Sequence, residues 1–261
     1  MQIAAAQISC VLGDVAANVA KIEIFAARAK ENGAALVVFP EMTDTGYSMP
    51  VIQKCAMNWK DGAVPQIQKI ASNRSIAIVC GVSERDGNAI YNSQVVVDSA
   101  GEIVAKYRKI HLFGSPPNDE TKCFSPGSTV AYFESGDFRF GLTICYDLRF
   151  PELYRKLALD AHVNAFIVSS AWPFARIHHF QNLAVARAIE NQCYMIAVNR
   201  VGVDDDISHC GSSAIVDPYG VVITAASPDR EELLHTKLST DVVSLVRSRI
   251  NTLGDRRPEL Y

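Results

Sequence analysis

The sequence predicts an α/β protein, a single layered domain in which buried strands alternate with helices. Three observations lead there. The apolar runs AALVVF (34–39) and IAIVCGV (76–82) read as strands buried on both faces, and FRFGLTI (138–144) is a further apolar, strand-like run. Segments with helical spacing separate them. An internal echo, VDSAGEIV (97–104) against VDPYGVVI (216–223), repeats a Val-Asp-x-x-Gly turn followed by aliphatic residues. It implies two similar β-rich layers, and no Gly/Ser/Pro-rich linker divides residues 1–261.

Gln2 to Ile8 reads as a first strand. Asp14 can cap a helix from Val15 to about Asn32, with Val15, Val19, Ile22, Ala26 and Ala29 on one face and Gly33 ending it. After the strand Ala34 to Phe39, which stops at Pro40-Glu41, Val64 to Arg74 is helical and Ile76 to Val82 is a strand. Ile90 to Val97 and Glu102 to Tyr107 flank a Ser99-Ala100-Gly101 turn and form a hairpin. Pro116, Pro117 and Asn118 mark a loop, and Phe138 to Ile144 is the strand that delivers Cys145. A helix over about Pro151 to Asp160, a strand Val163 to Ser169, a helix over about His178 to Asn191 and a strand Tyr194 to Asn199 follow. A second hairpin and an extended, charged tail from about 242 close the chain.

Composition narrows the function. Hydrophobic residues make up 49% and charged residues 20% of the chain, enough for a packed core. A net charge of −3 leaves no basic footprint for nucleic acid and no polybasic surface for membranes. The start, MQIAAAQISC, lacks the n- and h-regions of a signal peptide, and the expected location is the cytoplasm. Seven scattered cysteines, none in CxxC spacing, do not make a disulfide framework or a zinc site. Most are expected to be reduced, buried hydrophobes.

Cys145 is the exception, because it sits at the exit of its strand rather than inside it. Glu41 in VVFPEMTDTGY and Lys109 in KYRKIHLF share that context, and ligands in open α/β sheets bind outside the carboxyl ends of strands. A thiol of ordinary pKa gains from a neighbouring base, which a carboxylate can supply. An ammonium and a backbone N–H can steady the oxyanion formed when a thiolate attacks an amide.

In that order, and separated by 68 and 36 residues, FPEMTDTGY, KYRKIHLF and ICYDLRFPELYR resemble the three catalytic motifs of the nitrilase, or carbon–nitrogen hydrolase, superfamily. The similarity continues through SAWPFARIHHFQNLAVARAIENQ and NRVG to the VDPYG turn. The resemblance implies a four-layer α-β-β-α sandwich and a Glu-Lys-Cys triad of Glu41, Lys109 and Cys145. Glu120, 25 residues before Cys145, matches the second glutamate that supports the triad, and the Tyr146 N–H is the expected second oxyanion donor. The resemblance also implies a homodimer or higher even oligomer, with the tail crossing to the partner, and no cofactor or metal.

Competing readings are weaker. His178-His179 are adjacent on a helix and do not share a face, so they offer no metal site. Asp204-Asp205-Asp206 lacks the glycine and terminal glutamate of an EF-hand loop and reads as a solvated turn. Arg187 and Glu190 read as a structural pair, and no local signature makes Cys145 half of a papain-like Cys–His pair.

The residues after Cys145 resemble the branch that hydrolyses amides of small dicarboxylic acids, and SAWPFARIHH resembles bacterial ω-amidase-like members. The implied activity is release of ammonia from 2-oxoglutaramate and 2-oxosuccinamate, the partners being a small amide and water. Deaminated-glutathione amidase and N-carbamoyl-amine hydrolase are the alternatives, and an idle partner-binding member of the fold is the different class. Phe180 stands where relatives often carry tryptophan. Arg176 is the expected reader of the substrate carboxylate, with Arg149 second and Trp172 as a further pocket residue.

Overall fold

The computed structural model describes residues 1–260. Two six-stranded sheets carry it. The first has the order β14-β1-β2-β3-β4-β5, built from β1 (Gln2–Gln7), β2 (Leu36–Val38), β3 (Ala77–Asp86), β4 (Ala89–Val97), β5 (Ile103–Arg108) and β14 (Glu232–Lys237). The second has the order β13-β12-β9-β8-β7-β6, built from β6 (Ala131–Ser135), β7 (Phe138–Ile144), β8 (Ala165–Ser170), β9 (Tyr194–Asn199), β12 (Ala214–Val216) and β13 (Val222–Ala225). Each has a parallel trio at its centre, β1-β2-β3 or β7-β8-β9, with antiparallel strands outside. A separate hairpin, β10 (Val201–Asp204) with β11 (Ile207–Cys210), stands apart from both.

The echo in the sequence is an echo in structure. Asp98 Oδ1 accepts from the N–H groups of Ala100 and Glu102, and Asp217 Oδ1 from those of Tyr219 and Val221. The glycine of each turn, Gly101 at φ +91° and Gly220 at φ +87°, occupies a left-handed conformation that other residues adopt only with strain. One turn joins β4 to β5 and the other β12 to β13, so each sheet carries the same closing hairpin.

Because side chains alternate across a strand, the trio β1-β2-β3 serves two cores. Ala4, Ala6, Val37 and Ile78 pack outward under α1 (Val15–Glu31) and α3 (Val64–Arg74), against Ile22, Phe25, Ile67 and Ile70. Ile3, Ala5, Leu36, Val38 and Val79 pack inward, in one cluster with Phe140, Leu142 and Ile144 of the second sheet. On that sheet's far side, α4 (Pro151–Asp160) and α5 (Ile177–Asn191) contribute Leu153, Leu157, Phe180 and Ala184. The result is the expected α-β-β-α sandwich. Among the described residues no helix is long and apolar enough to cross a membrane.

Two expectations need correction. The segment from 242, expected to be extended, lies within α6 (Thr240–Arg249) as far as Arg249, and turns at residues 252–254 and 258–260, with no strand, follow it. Ser239 caps that helix, and Val243 and Val246, three residues apart, turn inward. The tail's final residue, Tyr261, lies outside the described residues. Asp204 is not part of a solvated turn: it is buried, while Asp205 and Asp206 are exposed. The short helix α2 (Met49–Cys55) and the strands β6, β10, β11 and β14 had no counterpart in the sequence reading.

Candidate active site

Three chain segments reach one place because the backbone around them has almost no spare volume. Glu41 follows β2 through Phe39 and Pro40, and it runs directly past Gly81 in β3. A Cβ at Gly81 would lie 2.6 Å from Glu41 Cα, so only glycine permits that approach. Lys109 leaves β5 with its N–H on Asn92 O at 2.8 Å and its carbonyl accepting from Gly127 N–H at 2.8 Å. At Gly127 a Cβ would lie 2.8 Å from the Arg108 carbonyl carbon. Cys145 follows β7 with φ +44°, a conformation uncommon for a side-chain-bearing residue and often found at functional turns.

Glu41, Lys109 and Glu120 form one buried cluster, their side chains without solvent exposure. The Lys109 ammonium donates to Glu41 Oε1 at 3.0 Å and to Glu120 Oε1 at 2.8 Å. Asn92 Nδ2 donates to the same two oxygens, at 2.6 and 3.0 Å. The Tyr47 hydroxyl reaches Glu120 Oε1 at 2.9 Å, and backbone N–H groups take the outer oxygens, Ala171 on Glu41 and Phe113 on Glu120, each at 2.7 Å. Burial opposes the charge on Lys109, but Glu120 and Glu41 outweigh it and hold the pKa above the ordinary lysine value. Burial and then Glu41 push the Cys145 thiol well above its ordinary value, although Lys109 pulls the other way. These effects favour the thiol over the thiolate, and a thiol would need a neighbouring base to act as a nucleophile.

Asp147 holds the bend at Cys145. It is fully buried; Oδ2 accepts from Ile144 N–H at 2.9 Å and from the Tyr107 hydroxyl at 2.7 Å. Oδ1 accepts from His111 N–H at 3.1 Å and faces His111 Nδ1 at 2.8 Å. Arg187, paired with Glu190 as expected, donates from Nε to Leu148 O at 3.1 Å and so braces the same turn.

Cys145, 8% exposed, lies in the wall of a cavity of about 340 Å³, large enough for a small-molecule ligand. Tyr47, Trp172 and His209 wall it, and Phe113, Arg149 and Arg176 also line it. Trp172 is 2% exposed; its Nε1–H donates to Arg176 O at 2.9 Å, so it supports the loop that carries Arg176. Phe180 lies beneath it, ring centroids 5.6 Å apart. The Arg176 guanidinium sits over the Phe113 ring at 5.3 Å, and that of Arg149 over the Trp172 ring at 4.7 Å. Burial, followed by the charge of Arg176, disfavours the charge on Arg149. Tyr146 is the second residue of the helical turn Cys145–Arg149, where a first-turn N–H has no partner within the helix, and it also lines the cavity.

The structure thus places Glu41, Lys109 and Glu120 in one cluster whose charges reach Cys145, and places Tyr146, Arg149, Trp172 and Arg176 around the cavity that Cys145 lines. Sequence reading missed Tyr47, Asn92, Asp147 and His209. Asp147 had a local signal, two residues past the thiol. Asn92 had none, because its role depends on register: opposite Ser83 in β4, it lies one position before Ser93, which pairs with Arg108.

A family model described as carbon–nitrogen hydrolase matches residues 2–248. A 2-oxoglutaramate amidase of Bacillus subtilis is 34% identical over 97% of this chain and 98% of its own length. Among solved structures, a carbon–nitrogen hydrolase superfamily protein of Xanthomonas campestris with an arsenic adduct in its active site superposes with a TM-score of 0.91, at 27% identity, covering 98% of this chain and 97% of that one. A glutamate-to-glutamine mutant of an amidase from Nesterenkonia sp. AN1 carries the acetamide moiety of fluoroacetamide on its active-site cysteine. It superposes with a TM-score of 0.88, at 28% identity, covering 100% of this chain and 95% of that one.

Two outcomes follow from this geometry. Asp147→Ala leaves several donors unpaired in a buried place, at about 1–3 kcal/mol each. It should lower stability by roughly 3 kcal/mol or more, read from the denaturation midpoint; a loss within error would remove Asp147 as the brace. Gly81→Ala should reduce turnover at least about tenfold, as 1 Å displacements at reacting groups do, while the circular dichroism spectrum is retained. Unchanged kinetics would show that Glu41 does not depend on that contact.

Proposed function

The chain belongs to the carbon–nitrogen hydrolase family, in its ω-amidase-like branch, and from that premise we propose that it releases ammonia from ω-amides of small 2-oxo dicarboxylic acids through a thioester on Cys145. As a member of that family it is a hydrolase of carbon–nitrogen bonds other than peptide bonds. The observation that carries the finer reading is the fully buried Glu41–Lys109–Glu120 cluster beside a protonated thiol in a cavity that two arginines also line.

Glu41 takes the Cys145 proton as the sulfur attacks the amide carbon, and the carbonyl π pair moves onto oxygen. Lys109 and the Tyr146 N–H face that oxyanion; one such donor is worth about 10²–10³ in rate. Glu41 then gives its proton to the amide nitrogen, the C–N bond breaks with its pair on nitrogen, and ammonia leaves. Glu41 next deprotonates water, which attacks the thioester, and the thiolate recovers a proton as the acid departs. Glu120, held by Tyr47, Asn92 and the Phe113 N–H, keeps Lys109 in place rather than joining the reaction.

Arg176 and Arg149 would receive the substrate carboxylate, since a guanidinium matches it in geometry and charge. An idle, partner-binding protein would have no reason to keep three charges out of water, where each ion costs several kcal/mol to desolvate. The seven free cysteines fit a reducing, cytoplasmic setting. A homodimer completes the reading, and a monomer in light scattering would remove that part of it.

Ammonia release should be fastest on 2-oxoglutaramate or 2-oxosuccinamate in a panel that includes deaminated glutathione, N-carbamoyl acids and nitriles. A preference for any of the last three replaces the substrate assignment. Arg176→Met should raise KM for carboxylate-bearing ω-amides about tenfold to a hundredfold, the range for a hydrogen bond to a charged group. Equal loss on neutral amides would contradict that role and point to Arg149.

A further inference from the structure

The hairpin β10-β11 walls the cavity through Ile207, Ser208 and His209. His209 departs from the rule that buried polar groups have partners. The residue is 2% exposed, yet neither Nδ1 nor Nε2 has a hydrogen-bond partner among the described residues. Its Nε2 stands 3.4 Å from Asp204 Oδ2, long for a hydrogen bond but near enough to place the ring's proton. A bare lone pair aimed at a carboxylate would be repelled, so Nε2 carries the hydrogen and Nδ1 is left as an acceptor. Asp204 is pinned by Arg200, whose Nη2 donates to Oδ1 at 2.9 Å, and by Tyr47 N–H, which donates to Oδ2 at 2.8 Å. Burial lowers the His209 pKa, Asp204 opposes that, and Arg200 adds to it; the net shift is downward and the ring is neutral.

His209 is also at the reacting end of the cavity. Cys210 N–H donates to Trp172 O at 2.9 Å, which fixes β11 to the segment whose Ala171 N–H holds Glu41. The charge of Glu41 is felt at the imidazole, and the Tyr47 ring meets it edge-on at 6.2 Å. Cys145 and His209 line the same space.

A primary amide brings two N–H bonds to that end, and both need acceptors once water is excluded. Glu41 can serve one. We propose that His209 Nδ1 accepts a hydrogen bond from the scissile amide nitrogen and thereby makes the site selective for amides over esters of the same acid. This rests on the cysteine-based hydrolysis proposed above. As the carbonyl carbon becomes tetrahedral, the nitrogen's lone pair is freed. With one N–H held by His209, that pair turns toward the proton on Glu41, the proton transfers, and the C–N bond breaks. The leaving oxygen of an ester carries no hydrogen, so His209 has nothing to hold.

The test is an amide-to-ester ratio. Wild type, His209→Phe and His209→Gln are assayed on 2-oxoglutaramate and its ω-methyl ester, and on propionamide and methyl propionate. His209→Phe keeps a ring against Tyr47 and removes the acceptor; it should lower kcat/KM on the amide about tenfold and leave the ester near the wild-type value. His209→Gln offers a carbonyl oxygen and should recover most of the amide rate. Equal losses on amide and ester, no loss on either, or a glutamine no better than phenylalanine would overturn the proposal. If wild type turns over only the propionyl pair, the substrate assignment above fails while the ratio on that pair still decides His209. Should His209→Phe not fold by circular dichroism, His209→Leu gives the same ratio.

Discussion

The site depends on keeping one ammonium between two carboxylates where no water reaches. Lys109 cannot be left alone there, because an unpaired buried charge costs several kcal/mol, and neither can Glu41 or Glu120. Pairing repays that only when the remaining lone pairs are also met. Here they are, by Asn92, Tyr47 and the N–H groups of Ala171 and Phe113. Two carboxylates face one ammonium there, and burial together with the charge of Glu41 holds the Cys145 thiol well above its ordinary pKa. That shift favours the thiol, and in the proposed reaction its deprotonation belongs to the attack itself.

That constraint explains why the cluster spans two sheets. Glu41 and Lys109 leave β2 and β5 of the first sheet, while Cys145 and Ala171 follow β7 and β8 of the second. Polar contacts lock the two together nearby: Gln94 Nε2 donates to Ser169 Oγ, and Ser169 Oγ donates to Phe39 O, each at 2.7 Å. Around them the inward face of β1-β2-β3 packs directly on β7 and β8. The glycines at 81 and 127 and the left-handed Cys145 are where the backbone yields so that the side chains can meet.

The elements legible in the sequence were those with clear punctuation. The helices Val64–Arg74 and Pro151–Asp160 begin beside a proline, and the strands Phe138–Ile144 and Tyr194–Asn199 end where polar chemistry starts, and the structure has these same bounds. The sheet edge β14 was missed because its order comes from pairing with β1 across more than two hundred residues, which no local pattern records. The helix α6 was missed because only Val243 and Val246 are buried, while Leu245 and the charged residues Asp241, Arg247 and Arg249 blur the apolar stripe. The residues at the centre were legible through ordered motifs. Their partners Asn92 and Tyr47 were not, because a neutral side chain on a strand or loop acquires its role only from what the fold sets against it. Asp204 misled for a similar reason: three consecutive aspartates read as a solvated turn, but Arg200, four residues earlier, draws the first of them inside.

The central claim is that this fold delivers acyl transfer through Cys145. It is tested most directly by quenching the reaction with an ω-amide in acid at early times and weighing the proteolytic peptides. The acyl group of the substrate should appear on the peptide that contains Cys145, rise before ammonia release reaches steady state, and vanish in Cys145→Ala together with turnover. An acyl mass on a different peptide, or hydrolysis that survives in Cys145→Ala, would contradict it.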